Sequence, residues 1–503
     1  MGRSVMLSNG EMLVGLNEHG LVHDFYYPYV GLENLTTARS VHHMVGVWVD
    51  GHFSWVDDGS WQIEVDFEQD ALVSKIVAER ADLGVRLRFE DCIDSQYTAL
   101  LRHITVENLV DRQREIRLFM HQVFQISNDG RADTVLYVPK GNYLFDYKGR
   151  CALLISARDQ HDQPFDQFSV GNYGIEGKEG TYRDAEDGEL SGNLVEHGSV
   201  DSVLRCCLTI DARSEGTVNY WIIASYSQYD AEAIHNKLIE QGIERRITAT
   251  RTWWHQWLAT AKPSIDSVFE KYQPIFKKSL LVIKAHIDKR GGTIASCDSS
   301  IYNYGRDYYS YVWPRDGGLT MLTLIELGYT AEPKRFFDFC DSSGFRHFRR
   351  RINFRNFAVC RRNAVTHAGR GRDQVEIEFA FEAFLNDFHM QKSQKSAAET
   401  EAERGRRFRL VEKRSVVQTQ FVHRVAQIFV LRRIGRIKSG ENHRFDFLKT
   451  GKRFSDGSRR FGYRVADLHV GDGFDRSGQK SDFADTEFAN RRRARAIYAE
   501  RFD

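Results

Sequence analysis

Residues 307–316 carry a high density of side chains that could bind a sugar. The run contains three tyrosines, a tryptophan, an arginine and two aspartates. Aromatic rings suit the apolar faces of a sugar ring, while an arginine and a carboxylate can share hydrogen bonds with its hydroxyl groups. The same composition also fits a buried aromatic strip with an internal Arg–Asp ion pair. The candidate binding residues are Tyr308, Tyr311, Trp313, Arg315 and Asp316.

Two predicted helices flank this run. Apolar residues recur at helical spacing over residues 319–327, which places Arg315 and Asp316 at the entrance of a helix. Upstream, apolar residues repeat every three or four positions over residues 269–287, and a pair of glycines at 291–292 is predicted to end that helix. The candidate residues therefore lie in a connection between two helices, where functional side chains are often displayed.

These residues resemble the first sugar-binding segment of the glucoamylase-type glycoside hydrolases, family 15, and the resemblance covers about residues 1–340. It implies that Arg315 and Asp316 bind hydroxyl groups of the glucose at the non-reducing end. Tyr308 and Trp313 would wall the same subsite. It also implies a catalytic (α/α)6 barrel of paired helices, preceded in bacterial and archaeal members by a large β-sandwich.

Residues 1–228 are predicted to be β-rich without reference to the family. Apolar and polar residues alternate over residues 85–90 and 116–121, and a compact apolar run spans residues 218–224. Turn signals recur between such runs, as expected of a many-stranded antiparallel sandwich. These signals are Asn9-Gly10, Asp50-Gly51, Asp58-Gly59, Asn128-Asp129-Gly130 and Asp187-Gly188.

The aromatic residues of segment 15–29, together with His23, have two interpretations. The segment also resembles the opening of bacterial family members, so these side chains could reach a neighbouring active site. The alternative places them in the sandwich core, as is usual for aromatic residues on strands.

Residues 229–262 are predicted to form one helix that links the sandwich to the start of the barrel at residues 263–340. Apolar residues keep a helical period there, and Pro263 is predicted to close the helix. Trp253, Trp254 and Trp257 lie within five residues. Tryptophans at such spacing are typical of a domain interface, and a sugar platform is the alternative.

Residues 341–503 differ sharply from the rest of the chain. All eight tryptophans and all seven prolines precede residue 341, and the tail holds 36 Lys plus Arg against 21 Asp plus Glu. Leucine occurs only five times in the tail, and apolar residues seldom keep a period beyond residues 375–388. Such a segment would not pack a normal core. We interpret it as an aberrant, basic tail produced by a frameshift, or else as a divergent remainder of the barrel.

The tail limits what can be assigned to catalysis. Inverting glycoside hydrolysis needs a carboxylic acid and a carboxylate base roughly 6.5–9.5 Å apart. The resemblance implies two glutamates further along the barrel, the acid in a Trp-Glu context, and neither context occurs here. Glu376, Glu378 and Glu382 are better explained as solvated acids on a helix. The catalytic residues therefore stay unknown.

Composition adds several expectations. Seven scattered cysteines without a Cys-x-x-Cys pair predict neither a disulfide framework nor a zinc site, so we expect a reducing, cytoplasmic location and no metal or cofactor. We expect no signal peptide, no membrane span and no membrane partner. The basic runs at 404–409 and 491–495 alone would favour nucleic-acid binding, but no recognisable nucleic-acid-binding signature accompanies them, and no such partner is expected.

The residues and the resemblance together leave two main hypotheses. The first is an inverting, exo-acting α-glucoside hydrolase that releases glucose from the non-reducing ends of α-glucans or α-linked glucose oligosaccharides. The second is a catalytically inactive carbohydrate-binding remnant. Within the first, trehalase and glucodextranase types of specificity remain alternatives, because linkage choice lies in barrel loops that the tail would have to supply.

Overall fold

The structure is a computed structural model that describes residues 4–36, 43–128, 131–297 and 310–343. Within these ranges the chain forms strands first and helices after them. The strands are β1 (Val5–Ser8), β2 (Leu13–Leu16), β3 (Val22–Tyr29), β4 (Leu32–Asn34), β5 (Met44–Val49), β6 (His52–Trp55), β7 (Gln62–Phe67), β8 (Ser74–Arg80), β9 (Val85–Ile93), β10 (Ala99–Asn108), β11 (Arg114–Val123), β12 (Asp133–Val138), β13 (Tyr143–Lys148), β14 (Cys151–Asp159), β15 (Gln167–Asn172), β16 (Val195–Gly198), β17 (Val200–Ile210) and β18 (Glu215–Ser225).

The strands form three sheets whose neighbours pair in antiparallel fashion. One sheet has four strands in chain order, β1 to β4, and a second has the order β15-β17-β11-β5-β6. The third has nine strands in the order β16-β12-β13-β14-β18-β10-β9-β8-β7. Buried side chains of all three sheets belong to one hydrophobic cluster, as illustrated by Val14, Val47 and Leu101. The predicted sheet-rich N-terminal region is confirmed.

Strand β9 shows why the sequence forms these sheets. Its apolar residues Val85, Leu87 and Phe89 are buried, whereas the guanidinium of Arg86 bonds to carboxylates of β8 and β10. The period of two therefore separates a core face from a charged face. The glycine of the β5–β6 turn, Gly51, follows another residue with positive φ, as a two-residue hairpin turn requires.

Strand β3 decides between the two interpretations of segment 15–29 for its aromatic residues. Phe25 and Tyr26 are fully buried, and Tyr27 is nearly so. Phe25 packs edge-on against Phe124, with ring centroids 5.4 Å apart. Phe25 and Tyr27 thus lie in the main core, as the core interpretation predicts, whereas Tyr26 belongs to a second buried cluster that it shares with Ile294 and Cys297.

Six α-helices lie in the described ranges after the strands. They are α1 (Gln228–Gln241), α2 (Ile243–Ala259), α3 (Lys262–Asp266), α4 (Gln273–Ala285), α5 (Pro314–Glu326) and α6 (Ala331–Ser342). Short 3-10 turns lie at Ile126–Asn128, Asp184–Asp187 and Glu270–Tyr272. In this part of the chain, no helix has the length and apolar character needed to cross a membrane.

The predicted single linker helix is wrong in detail. Gly242 adopts φ 79° and ψ 133°, which is incompatible with a helix, so the segment divides into α1 and α2. Pro263 does not close α2; it lies in the first turn of α3, where its missing N–H needs no partner. Arg246 of α2 bonds through two nitrogens to Asp94, with both distances 2.7 Å, and so ties α2 to the nine-stranded sheet.

The helix predicted over residues 269–287 is shorter than expected at both ends. It begins at Gln273 because Pro274 occupies its first turn, and it ends at Ala285. Residues 291–292 are not its terminators. Gly291 instead belongs to a tight hairpin closed by a bridge between Ile287 and Thr293. That hairpin brings the Gly291 backbone against α6.

Two tryptophans of α2 pack against other elements, and the role of the three tryptophans at a domain interface stays a prediction. Trp254 is buried, and the ring of Trp257 stacks on Tyr329 with centroids 4.5 Å apart. Of the predicted tail at residues 341–503, the structure describes only residues 341–343. Asp129, Gly130 and Tyr308 also lie outside the described residues. The six cysteines that the structure describes are not joined to one another by disulfide bonds.

Candidate functional site

The described part of the candidate site is a short extended segment that leads into α5. The backbone N–H of Ala295 donates to the carbonyl of Tyr311 at 3.0 Å, and Val312 forms a bridge with Ile294. Alternation along an extended chain sends neighbouring side chains in opposite directions. Val312 packs onto a buried cluster, whereas Tyr311 and Trp313 are 50% and 45% exposed.

The two exposed rings lie beside each other. The centroids of Tyr311 and Trp313 are 6.3 Å apart, and their planes meet at 82°. This edge-to-face arrangement leaves a corner of aromatic surface next to the start of α5. Such a corner suits a ligand that combines apolar faces with polar edges.

Arg315 and Asp316 follow in the first turn of α5. Nε of Arg315 donates to Oδ1 of Asp316 at 2.8 Å, and the two side chains are 59% and 47% exposed. Pro314 fixes the first helical position, and an acidic residue in the first turn is favourable at the positive end of the helix dipole. Both groups therefore keep free bonding capacity toward solvent or a ligand.

These exposures contradict the alternative interpretation of a buried aromatic strip with an internal ion pair. A buried strip would hide the rings and the charged groups together. In the structure, Tyr311, Trp313, Arg315 and Asp316 all stand at the surface, within six consecutive residues. Their role as sugar-binding residues stays a prediction.

Helix α5 is held in place by close packing against α6. A Cβ atom built on Gly317 would lie 2.5 Å from Cε2 of Phe336, so only glycine permits this approach. Phe336 is fully buried, as are Met321 and Leu324 on the same side of α5. The glycine that follows Asp316 is therefore a packing requirement of the site's supporting helix.

Sequence reasoning missed a buried polar cluster behind these helices. Oε1 of Glu332 in α6 accepts hydrogen bonds from Nζ of Lys284 at 2.8 Å and from Nε1 of Trp257 at 3.0 Å. Burial alone would raise the pKa of Glu332, but the Lys284 charge and the two hydrogen bonds outweigh it and leave that pKa below its usual value. Burial lowers the pKa of Lys284 against the opposing attraction of Glu332. No motif in the sequence marks these three residues as partners.

No catalytic general acid or general base is assigned among the described residues. Glu332 is buried and occupied by Lys284 and Trp257, so its carboxylate is a structural partner. Asp316 is already bonded to Arg315. Glu376, Glu378 and Glu382 lie outside the described residues, as does Tyr308. The catalytic residues therefore stay unknown.

One group of possible metal ligands occurs among the described residues, formed by Glu68, Asp70 and His255. Arg251 already binds Glu68 at 2.7 Å, and Nζ of Lys277 lies 4.0 Å from Asp70. These cations compete with a metal ion for the same carboxylates. The group lies between the nine-stranded sheet and helices α2 and α4, and we assign it no function.

Comparison with known proteins gives a relative in sequence. The chain is 24% identical over 342 residues to an uncharacterized glycosyl hydrolase of Methanocaldococcus jannaschii, a match that covers 66% of this chain and 52% of the relative. No protein-family model matches the chain. The chain thus spans about half of the relative's length.

A solved structure gives a relative in fold. A bacterial glucoamylase complexed with acarbose superposes with a TM-score of 0.52 at 16% sequence identity, covering 67% of this chain and 49% of the glucoamylase. At this identity the likeness concerns the fold. Together the two comparisons show that the chain is glycoside hydrolase-like: mixed in secondary structure, rich in sheet, and similar in fold to a glucoamylase.

Proposed function

We propose that this chain carries the glucose-binding subsite of an exo-acting, inverting α-glucoside hydrolase of the glucoamylase type, family 15. Residues 1–228 would form its β-sandwich, residues 229–262 its linker and residues 263–340 the start of its (α/α)6 barrel. The glycosyl hydrolase relative and the glucoamylase fold support this proposal. The site requires no cofactor in this scheme, and its ligand is an α-glucan or an α-linked glucose oligosaccharide.

The observation that carries the proposal is the exposed Arg315–Asp316 pair beside the half-exposed rings of Tyr311 and Trp313. A guanidinium offers a planar fork of donors and a carboxylate offers acceptors, so the pair can hold adjacent hydroxyl groups that both donate and accept. The ring corner can cover an apolar face of the same sugar. Tyr308 is proposed to complete the wall.

A second candidate function is carbohydrate binding without hydrolysis. It is favoured by the occupied state of Glu332 and by the tail composition, which offers no Trp-Glu context for a general acid. In this case the subsite would bind glucose units but leave the glycosidic bond intact.

The test measures binding and hydrolysis separately. Acarbose and glucose binding are measured by calorimetry, and glucose release is followed from maltotriose, isomaltose and trehalose. Binding with release from one substrate supports the hydrolase and identifies its linkage. Binding without release supports the second candidate. Absence of binding to all these sugars contradicts both.

A further inference from the structure

The turn between β3 and β4 lies directly against the start of the candidate sugar segment. Gly31, in this turn, has φ 85°, and a Cβ atom built on it would lie 2.8 Å from Cδ1 of Ile294 and 3.2 Å from Cβ of Ser310. Ser310 is the residue before Tyr311. The backbone of the N-terminal four-stranded sheet therefore touches the segment that displays the two exposed rings.

A buried carboxylate fastens the same turn to the hairpin after α4. Oδ2 of Asp288 accepts from the backbone N–H of Val30 at 3.1 Å, and Oδ1 accepts from Nε of Arg290 at 2.8 Å. The Asp288 side chain is only 5% exposed. The guanidinium of Arg290 lies over the ring of Tyr29, 3.3 Å from its centroid. The turn is thus held by a hydrogen bond on one side and a cation–π contact on the other.

A shared apolar cluster continues the connection beneath the site. It contains Leu13 and Tyr26 from the N-terminal sheet, Val30 from the β3–β4 turn, and Ile294 and Cys297 from the end of the hairpin and the segment after it, with Val312 packed against it. The hydroxyl of Tyr26 donates to the carbonyl of Cys297 at 2.9 Å. Because Val312 is anchored in this cluster, its neighbours Tyr311 and Trp313 are directed outward.

We propose that the β3–β4 turn is a positioning element of the sugar site, acting through Gly31 on Ser310 and through Asp288 on the hairpin that pairs with Val312. The inference rests on the proposed function, since it assigns the N-terminal sheet a part in sugar binding. Gly31, Asp288 and Val312 touch no ligand in this scheme. They set the orientation of the Tyr311 and Trp313 rings, and a change in that orientation removes contacts between the rings and a bound sugar.

The chain offers a matched pair of glycines for the test. Gly31→Ala adds a methyl group against Ile294 and Ser310, whereas Gly51→Ala adds one where no atom lies within 4 Å. The two glycines have similar φ values of 85° and 81°, so both variants carry the same kind of backbone strain. The difference in acarbose affinity between the two variants therefore measures the effect of the added steric contact with Ile294 and Ser310.

Two readouts are measured on the full chain labelled with 5-fluorotryptophan, the Trp313 resonance being assigned with Trp313→Phe. We expect Gly31→Ala to shift the Trp313 fluorine resonance and to weaken acarbose binding by up to about tenfold, which corresponds to about 1.4 kcal/mol. Gly51→Ala should change neither. Asp288→Asn changes the side chain that binds the Val30 N–H without adding volume, so it should act in the same direction. It provides a second test if Gly31→Ala folds poorly. A double variant, Gly31→Ala with Ser310→Gly, should recover part of the affinity.

The outcomes separate the inference from the proposed function. Equal resonances and equal affinities in Gly31→Ala, Asp288→Asn and Gly51→Ala overturn the positioning role, while acarbose binding by the unaltered chain would keep the proposed function. A shifted Trp313 resonance in a protein that never binds acarbose overturns the proposed function and still supports the control of the segment by the turn.

Discussion

Nζ of Lys284 lies 2.8 Å from Oε1 of Glu332, and both side chains are largely buried. The pair joins α4 to α6, and the indole N–H of Trp257 adds α2 to the same oxygen. Three helices that follow the sheets are thus connected through one carboxylate. The cluster supports the framework on which α5 and its exposed residues stand.

Replacing Glu332 should therefore destabilise the fold. Glu332→Gln leaves the Lys284 ammonium buried without a counter-ion, and breaking such a pair costs about 3–5 kcal/mol. Chemical denaturation of the variant and of the unaltered chain measures the difference. Asp266→Asn, which breaks the exposed pair between Lys262 and Asp266, is the control and should leave the free energy of unfolding nearly unchanged.

The same variant should show a specific pH dependence. The pKa of Glu332 is lower in the folded state than its ordinary value of 4.5, so its stabilisation is present above that value and is lost as the pH falls through the folded pKa. The advantage of the unaltered chain over Glu332→Gln should thus shrink in acid. An advantage that stays constant down to pH 2 would contradict the role of the ionised carboxylate.

Gly291 should tolerate no side chain. A Cβ atom there would lie 2.1 Å from the carbonyl oxygen of Arg335 in α6, and φ is 110°. Overpacking and strained backbone together should make Gly291→Ala less stable by about 2–5 kcal/mol. Gly149→Ala provides the control, because its φ is also positive but no atom lies nearby. Similar unfolding midpoints in the two variants would contradict the close approach of hairpin and helix.

The sequence predicted those elements whose pattern is local. The alternation of Val85, Leu87 and Phe89 predicted β9, and the apolar spacing after Asp316 predicted α5. Each pattern is a period set by the backbone, so it can be recognised without knowledge of the rest of the fold. The prediction failed at Gly242 because a single residue with positive φ divides an otherwise continuous helical period.

The residue types of the site could be predicted from the sequence, but the contacts that hold these residues in place could not. Arg315 and Trp313 stood out by type and spacing, whereas their exposure depends on how Val312 packs against strands far away in the sequence. Asp288 and Glu332 gave no signal, because their partners Val30 and Lys284 become neighbours only in the folded chain. Long-range contacts of single polar groups leave no period in a sequence.

The exposed tryptophan should contribute affinity without contributing stability. Trp313→Ala removes a ring that is 45% exposed, so we expect the melting temperature to change little. Acarbose binding should weaken by about tenfold, which corresponds to about 1.4 kcal/mol. Calorimetric titration measures the affinity. Tyr229→Ala, at a ring that is 80% exposed, is the control, and an equal loss of affinity in both variants would contradict the assigned wall.

The unusual tail gives a prediction for the nucleic acid that encodes it. Residues 341–503 contain no tryptophan and no proline, and they hold 36 basic against 21 acidic residues. A single frame error would produce these changes together. We expect the DNA beyond the Cys340 codon, translated one or two nucleotides out of phase, to encode tryptophan, proline and a Trp-Glu pair. Sequencing this region and translating all frames is the test. Frames that contain none of these features would support a genuine, divergent segment.

The central claim is that Arg315 and Asp316 bind glucose, and calorimetric titration of acarbose into the full chain tests it most directly. Charge-assisted hydrogen bonds to a ligand contribute about 1.5–3 kcal/mol, so Arg315→Ala and Asp316→Ala should each weaken binding by about tenfold to a hundredfold. Both should leave unfolding almost unchanged, because the pair is exposed. Arg213→Ala, which breaks an exposed Arg–Asp pair with Asp111, should bind acarbose as the unaltered chain does. Equal acarbose affinity in all three variants and the unaltered chain would contradict the account.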